Sequence, residues 1–219
     1  MNHKTVAINV AYTRYTQRLF IIKEYLMGNR LSKISTKTGD KGETGLGDGS
    51  RISKTSTRIH VIGEVDEVNS WVGVLAAELD ANDAHQTVLS QIQHDLFDLG
   101  GELCVPGYKA LAPSMLEGVE DALVDINEAL PPLKDFILPG GNKAASYCHM
   151  VRSVSRRAER AIVELANEEA EAGNEVNPLA VQYLNRLSDF FFVLARDIAR
   201  QNGGQEVLWK SRHTQSKEA

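Results

Sequence analysis

Apolar residues recur at intervals of three to four positions along most of the chain, and this period restricts the fold more than any other feature. Two early stretches each place their apolar residues on one helical face. These residues are Val65, Val68, Val72, Leu75 and Leu79 in the first stretch and Val88, Ile92, Leu96 and Leu99 in the second. No segment shows the two-residue alternation of a strand over a length that could build a sheet. The pattern therefore predicts an all-α fold.

Capping and helix-breaking residues divide the chain into about five helices. Residues 113–117 have the sequence of a capping box and predict the start of a third helix, which Pro131 and Pro132 end. A fourth helix is predicted from about residue 142 to residue 171. The fifth begins at Asn177, which proline follows at the first helical position, and ends at Gly203 and Gly204. With 219 residues, 42% of them hydrophobic, the chain can bury one core, so we expect a five-helix bundle.

Charge and cysteine usage exclude several functional classes. The net charge is -5, so an extended basic surface for nucleic acid is not expected, and any anion site must be a local cluster of basic residues. The longest apolar run, residues 190–195, is far shorter than a membrane span. Cys104 and Cys148 lack metal-ligand spacing and are expected to be buried thiols. We expect a cytoplasmic protein that binds neither nucleic acid nor membrane.

Arginines on the fourth predicted helix are the first candidate for a binding site. Arg152, Arg156 and Arg160 follow i, i+4, i+8 spacing and lie opposite the apolar face of that helix. Three neighbouring guanidinium groups repel one another unless carboxylates or bound anions compensate their charge. One interpretation is a solvated face with surface ion pairs. The other is a phosphate clamp, because guanidinium groups bind phosphate oxygens through two parallel hydrogen bonds.

A glycine-rich stretch over residues 33–50 is the second candidate. It predicts a loop whose backbone N–H groups could hold phosphate oxygens, with Lys37 and Lys41 adding charge. The stretch is not a Walker A loop. On the fifth helix, Asn185 and Asp189 share a polar face, which indicates either an inter-helix hydrogen bond or a site. The chain also lacks the zinc-protease motif and the serine nucleophile elbow, which favours chemistry in which the substrate itself supplies the nucleophile.

Three ordered stretches resemble the PduO-type ATP:cob(I)alamin adenosyltransferases. The first combines residues 36–42 with residues 63–67, the second combines residues 136–141 with residues 152–160, and the third is residues 183–189. The likeness implies that residues 27–210 form the helical bundle, with residues 211–219 as a polar tail. Residues 1–26 carry a single acidic residue, and Met27 opens a stretch typical of the start of family members. We therefore expect residues 1–26 to be a disordered or extraneous N-terminal extension.

The resemblance implies a homotrimer that binds ATP and a corrinoid at subunit interfaces. Such an enzyme transfers the 5′-deoxyadenosyl group of ATP to the Co(I) of cob(I)alamin, or of a cob(I)yrinate derivative, with Mg²⁺ present. It gives adenosylcobalamin and triphosphate. The residues that the resemblance assigns to nucleotide binding are Thr36, Lys37, Thr38, Gly39, Thr44, Gly45, Lys54, Arg156, Arg157, Glu159, Arg160 and Asn185. The catalytic residues that it assigns are Arg152, Arg156 and Phe136, and it assigns no protein ligand to a metal.

The resemblance also gives specific expectations for Phe136 and Ser56. Phe136 would approach the corrin and displace the lower axial ligand, leaving four-coordinate Co(II), which is easier to reduce. Family members commonly carry an aspartate that pairs across the interface with the arginine matching Arg152, and here Ser56 stands at that position.

The resemblance also points to partner proteins, namely a flavin-type reductase and an adenosylcobalamin-dependent enzyme. A non-catalytic corrinoid carrier is the alternative function, because delivery and synthesis could use the same pocket. A helical bundle whose arginines are merely solvated is a further alternative, and failure to bind ATP would favour it.

Overall fold

The structure is a computed structural model that describes residues 35–211. These residues form two compact units, residues 35–53 and residues 54–211. The predicted extension over residues 1–26 lies outside the described residues, as does the predicted tail apart from residue 211.

The smaller unit contains a short β-hairpin that the sequence analysis missed. Strands β1 (Glu43–Gly45) and β2 (Arg51–Ser53) pair antiparallel. The turn between them is closed by a hydrogen bond from the Leu46 N–H to the Ser50 carbonyl, 2.9 Å long, and Gly49 takes a positive φ of 90°. The prediction of an all-α chain without a sheet is therefore wrong for this segment. Strands of three residues are too short for their alternation to be recognised in a sequence.

The larger unit is the predicted bundle of five helices. They are α1 (Thr57–Glu78), α2 (Gln86–Cys104), α3 (Pro113–Glu128), α4 (Lys143–Glu171) and α5 (Pro178–Arg200), and a 3₁₀ turn (Gln201–Gly203) follows the last of them. Helix α4 packs against α1 and α5, while α2 packs against α1 and α3 packs against α5. Buried side chains occur on every face of the second half of α5, including Phe190, Phe191 and Leu194. A helix that is apolar all round is a buried one, so α5 lies at the centre of the bundle.

Local capping explains where most of these helices begin. Asn142 caps α4 by accepting a hydrogen bond of 2.8 Å from the Ala145 N–H, and Asn177 caps α5 in the same way. Ser56 caps α1, since its hydroxyl accepts from the Ile59 N–H. The predicted capping box of α3 is wrong: that helix begins at Pro113, so Ser114 lies inside its first turn rather than at its cap.

No helix within residues 35–211 is long and apolar enough to cross a membrane. Of the two cysteines that were expected to be buried, Cys148 is fully buried and Cys104 is half-buried.

Candidate functional site

The arginine face of α4 carries three guanidinium groups that have no carboxylate partner in the described part of the chain. Among residues 35–211, no Asp or Glu oxygen lies within 4.0 Å of a side-chain nitrogen of Arg152, Arg156 or Arg160. Arg160 instead donates to the Arg156 carbonyl over 2.9 Å. The ion pairs that a solvated surface stripe would need are thus missing from the described part of the chain. The positive charge of this face remains available to an external anion.

Arg152 and Arg156 line a cavity of about 720 Å³ between α3, α4 and α5. Two more arginines line it, and both are neutralised within the chain: Arg186 pairs with Glu120 at 2.9 Å and with Asp189 at 3.0 Å, and Arg196 pairs with Glu206. The rest of the wall is largely apolar and comes from Leu123, Leu130, Pro131, Pro132, Leu133, Phe192 and Val193. The cavity therefore joins a largely apolar wall to two positive charges that no carboxylate of residues 35–211 neutralises, and its volume falls in the range of small-molecule sites.

Arg152 sits among buried polar atoms that have no partner in residues 35–211. Its Nε is buried without a hydrogen-bond partner in these residues, and so is Nδ1 of His149, one turn earlier on α4. Burial, and after it the charge of Arg156, lowers the pKa of Arg152. Burial also lowers the pKa of His149 to about 4, with a further contribution from the charge of Arg152. Unsatisfied buried polar groups are uncommon in folded proteins, and here they cluster beside the uncompensated arginines.

Helices α4 and α5 also bring together two residues predicted to bind the nucleotide. Asn185 on α5 donates a hydrogen bond to Glu159 on α4, with 2.8 Å between Nδ2 and Oε1. The inter-helix hydrogen bond, which was one of two interpretations of the polar face of α5, is therefore present at Asn185. Asp189 on the same face binds Arg186 of its own helix instead.

Arg157 has a different environment from its neighbours on α4. Its guanidinium donates to Glu64 over 2.5 Å and to Glu67, both of which lie on α1. The hydrogen bond with Glu64 is the main cause of the raised pKa of Arg157. Within one chain, Arg157 joins α4 to α1. Its assignment to nucleotide binding stays a prediction.

The glycine-rich loop has a defined backbone shape. Lys37 adopts a positive φ of 58°, which is uncommon for a residue other than glycine, and Gly42 has φ 86°. The hydroxyls of Thr36 and Thr38 are 2.9 Å apart, and Arg51 donates to the Thr38 carbonyl over 2.9 Å. Arg51 was not found from the sequence, because its position beside the loop depends on the unrecognised hairpin.

The remaining loop residues lie in both units. Lys37 and Lys41 are exposed, whereas Thr44 and Gly45 belong to β1 and are half-buried. Lys54 is exposed in the turn that precedes α1 and belongs to the helical unit.

Phe136 lies in the segment between α3 and α4 and is 78% exposed. Its carbonyl accepts a hydrogen bond of 2.7 Å from the Trp209 N–H, and the two rings pack edge to face with their centroids 6.3 Å apart. Trp209 was not identified from the sequence. The pairing joins two segments that are far apart in the chain, and no local pattern marks it.

The chain is similar to known proteins over most of its described length. The family described as "Cobalamin adenosyltransferase" matches residues 34–198. A cobalamin adenosyltransferase of Cupriavidus metallidurans is 55% identical over 184 residues, which are 84% of this chain and 97% of that protein. A corrinoid adenosyltransferase of Bacillus subtilis is 41% identical and covers 81% of this chain and 92% of that one.

Solved structures of similar proteins have the same fold. A Phe-to-Ala variant of a PduO-type ATP:corrinoid adenosyltransferase from Lactobacillus reuteri, complexed with cobalamin and ATP, superimposes with a TM-score of 0.76. The two chains are 33% identical, and the match covers 82% of this chain and 100% of that one.

Proposed function

The chain belongs to the cobalamin adenosyltransferase family, and from this premise we propose that Arg152 and Arg156 hold the triphosphate of ATP during adenosyl transfer to a corrinoid. The reaction transfers the 5′-deoxyadenosyl group of ATP to the Co(I) of cob(I)alamin, or of a related corrinoid, and releases triphosphate. The observation that carries the proposal is that the guanidinium groups of Arg152 and Arg156 face one cavity, and neither pairs with a carboxylate of residues 35–211.

The chemistry explains why such a site needs arginines and no general base. The electron pair of Co(I) attacks C5′ of the ribose and forms the Co–C bond, while the C5′–O bond breaks and its electrons leave with the triphosphate. Negative charge grows on the leaving oxygen, and preorganised guanidinium groups stabilise it most where water is excluded. The protein must also hold C5′ in line with cobalt, which is a matter of proximity and orientation. Mg²⁺ enters with ATP as part of the substrate, bound mainly by phosphate oxygens and water.

We propose that the glycine-rich loop supplies the other half of the nucleotide site from a neighbouring subunit of a homotrimer. The residues assigned to it are Thr36, Lys37, Thr38, Gly39, Thr44, Gly45 and Lys54. In support, the positive φ of Lys37 and Gly42 is the kind of backbone geometry that turns successive N–H groups toward an anion. A second subunit would also supply the negative charge and hydrogen bonds that Arg152 lacks within residues 35–211. Arg160, Glu159 and Asn185 would then complete the site from the α4 side.

Phe136 is proposed to act on the corrin rather than on the nucleotide. An exposed aromatic ring beneath the corrin would exclude the axial base and water, leaving four-coordinate Co(II), which is easier to reduce. Its high exposure supports this role, because a ring that packed the end of the bundle would be covered. A flavin-type reductase that supplies electrons and an adenosylcobalamin-dependent enzyme that accepts the product are the proposed partners. We place the reaction in the cytoplasm, where ATP is abundant and free thiols such as Cys148 persist.

An anaerobic assay with ATP and chemically reduced cobalamin tests the proposal directly. We expect the absorption spectrum to change as the Co–C bond forms, with one triphosphate released per adenosyl group transferred. A protein that binds cobalamin without this change would be a carrier, and the proposed function would be wrong.

A further inference from the structure

Residues 205–209, near the end of the described part of the chain, run alongside the segment that carries Phe136. We call residues 205–209 the strap. Ile137 and Leu208 form an antiparallel bridge. The Leu138 N–H donates to the Val207 carbonyl and the Trp209 N–H donates to the Phe136 carbonyl, each over 2.7 Å. The backbone from the Phe136 carbonyl to the Leu138 N–H is therefore held by the strap.

A buried ion-pair cluster anchors the strap to α5. The side chain of Glu206 is only 8% exposed, and its carboxylate is bound by Arg196 and, at 3.0 Å, by Arg200. Arg196 is itself buried and also donates to the Pro131 carbonyl over 2.8 Å. Arg196 thus connects three parts of the structure: α5, the strap and the start of the segment that leads to Phe136.

Phe136 cannot be positioned by its own packing, because most of its side chain is exposed. Within residues 35–211, the aromatic ring that packs against it is that of Trp209. Without the strap beside it, Phe136 would lose its ring contact with Trp209. The hydrogen bonds at the Phe136 carbonyl and the Leu138 N–H would be lost as well. A wedge under the corrin must be held in place, since a displacement of about 1 Å can reduce a rate by about a hundredfold.

We propose that Glu206 and Arg196 are positioning residues for corrin chemistry: their ion pair fixes the strap, and the strap fixes Phe136. This inference rests on the role proposed for Phe136. Replacing a buried ion pair by apolar residues of similar volume often costs no stability, so the role assigned to this pair is to define the geometry of the strap. Glu206 immediately precedes Val207, whose carbonyl holds Leu138, so the geometry set at Glu206 passes directly to the bridge.

The test compares Glu206→Gln, Trp209→Ala and Phe136→Ala in the full chain. We expect all three variants to lose the spectroscopic signal of four-coordinate Co(II) in the presence of ATP. Turnover from Co(II) should fall about ten- to a hundredfold, whereas turnover from pre-reduced Co(I) and the affinity for ATP should change less than about threefold. Glu206→Asp should restore part of the signal, because it keeps the charge. Glu175→Gln, which breaks the exposed pair with Lys109, is the matched control and should behave as wild type.

Hydrogen exchange provides a readout that does not depend on the corrin. The amides of Leu138 and Trp209 should exchange faster in Glu206→Gln than in wild type, because both donate across the bridge. An unchanged Co(II) signal in both Glu206→Gln and Trp209→Ala, beside its loss in Phe136→Ala, would overturn this inference and leave the proposed function intact. An unchanged signal in Phe136→Ala would overturn the role of Phe136 and this inference with it. Trp209 is half-exposed, so its variant keeps the test valid if Glu206→Gln fails to fold.

Discussion

Asn185 on α5 donates a hydrogen bond to the carboxylate of Glu159 on α4, and the bond fixes a negative charge one turn from Arg156. Both side chains lie toward the protein surface, where a single hydrogen bond contributes little to folding. Its effect is to orient Glu159 relative to the neighbouring arginines. We predict that this oriented carboxylate influences how Arg156 and Arg160 approach a bound phosphate.

Asn185→Ala should therefore weaken ATP binding without destabilising the fold. We expect KM for ATP to rise about fivefold, equivalent to the loss of about 1 kcal/mol, because Glu159 would lose its orientation. The melting temperature should hardly change, since surface substitutions usually stay within about 0.5 kcal/mol. Glu159→Gln is the companion variant, because its amide oxygen can still accept from Asn185 while the charge is gone. A large fall in melting temperature with unchanged KM would show that the pair is structural.

Arg156→Ala should reduce both ATP affinity and the rate of adenosyl transfer. A charge-assisted hydrogen bond to phosphate contributes about 1.5–3 kcal/mol, so we expect a loss of about ten- to a hundredfold in kcat/KM for ATP. Arg156→Lys should recover only part of it, because lysine cannot form two parallel hydrogen bonds. Lys109→Ala is the control for the loss of one positive charge, since Lys109 is exposed and pairs with Glu175. Wild-type kinetics in Arg156→Ala would remove Arg156 from the site.

The parts of the fold that the sequence predicts are those set by local chemistry. Asn142 and Asn177 begin their helices where predicted, because a cap depends only on the next three residues. The same reasoning failed at Ser114, because Pro113 and Ala112 start the helix earlier than the serine would. Proline is favoured at the first helical position, and this preference outweighed the apparent capping box.

The contacts that the sequence did not predict join distant segments of the chain. Arg157 shares its helix with the arginine face, but its pairing with Glu64 depends on how α1 and α4 pack. Trp209 and Glu206 contribute through a bridge to residues about seventy positions earlier in the chain. No periodic pattern or capping residue in the sequence indicates such a pairing. The sequence thus yields the residue types that bind phosphate, and only the fold determines which of them remain uncompensated.

Ser56 caps α1 through a hydrogen bond of 3.4 Å from the Ile59 N–H. Its replacement can separate this capping role from a role in subunit association. Ser56→Asp keeps a capping acceptor and adds a negative charge where the helix dipole favours it. If α1 of one subunit faces Arg152 of another, the new carboxylate should also strengthen subunit association by about 1 kcal/mol. Analytical ultracentrifugation over a range of protein concentrations measures this change. Ser56→Ala should instead lose about 0.5–2 kcal/mol of helix stability. Weaker association in Ser56→Asp would mean either that Ser56 does not match the aspartate position of the family or that Arg152 already has an anionic partner.

The depressed pKa of His149 makes the stability of the protein depend on pH in a defined window. Burial beside Arg152 lowers the pKa from its ordinary value of 6.5 to about 4 in the folded protein. Above pH 6.5 the imidazole is neutral in the folded and unfolded chains, so it adds no pH dependence. Between pH 6.5 and pH 4 the unfolded chain binds a proton that the folded chain does not. The free energy of unfolding must then fall as the pH falls through this window.

His149→Gln should remove this contribution, because glutamine does not titrate. We expect the wild-type protein to lose about 1–2 kcal/mol more stability than the variant between pH 7 and pH 5. Urea denaturation at the two pH values measures the difference, at one fixed protein concentration because subunit assembly is linked to stability. His94→Gln is the matched control, since it removes an exposed histidine on α2 instead of a buried one. If His149→Gln and His94→Gln lose the same stability on acidification, His149 takes up its proton in the folded protein as readily as in the unfolded chain. The imidazole would then be charged beside Arg152 at mildly acidic pH, and an anion bound there, rather than burial alone, would have to compensate both cations.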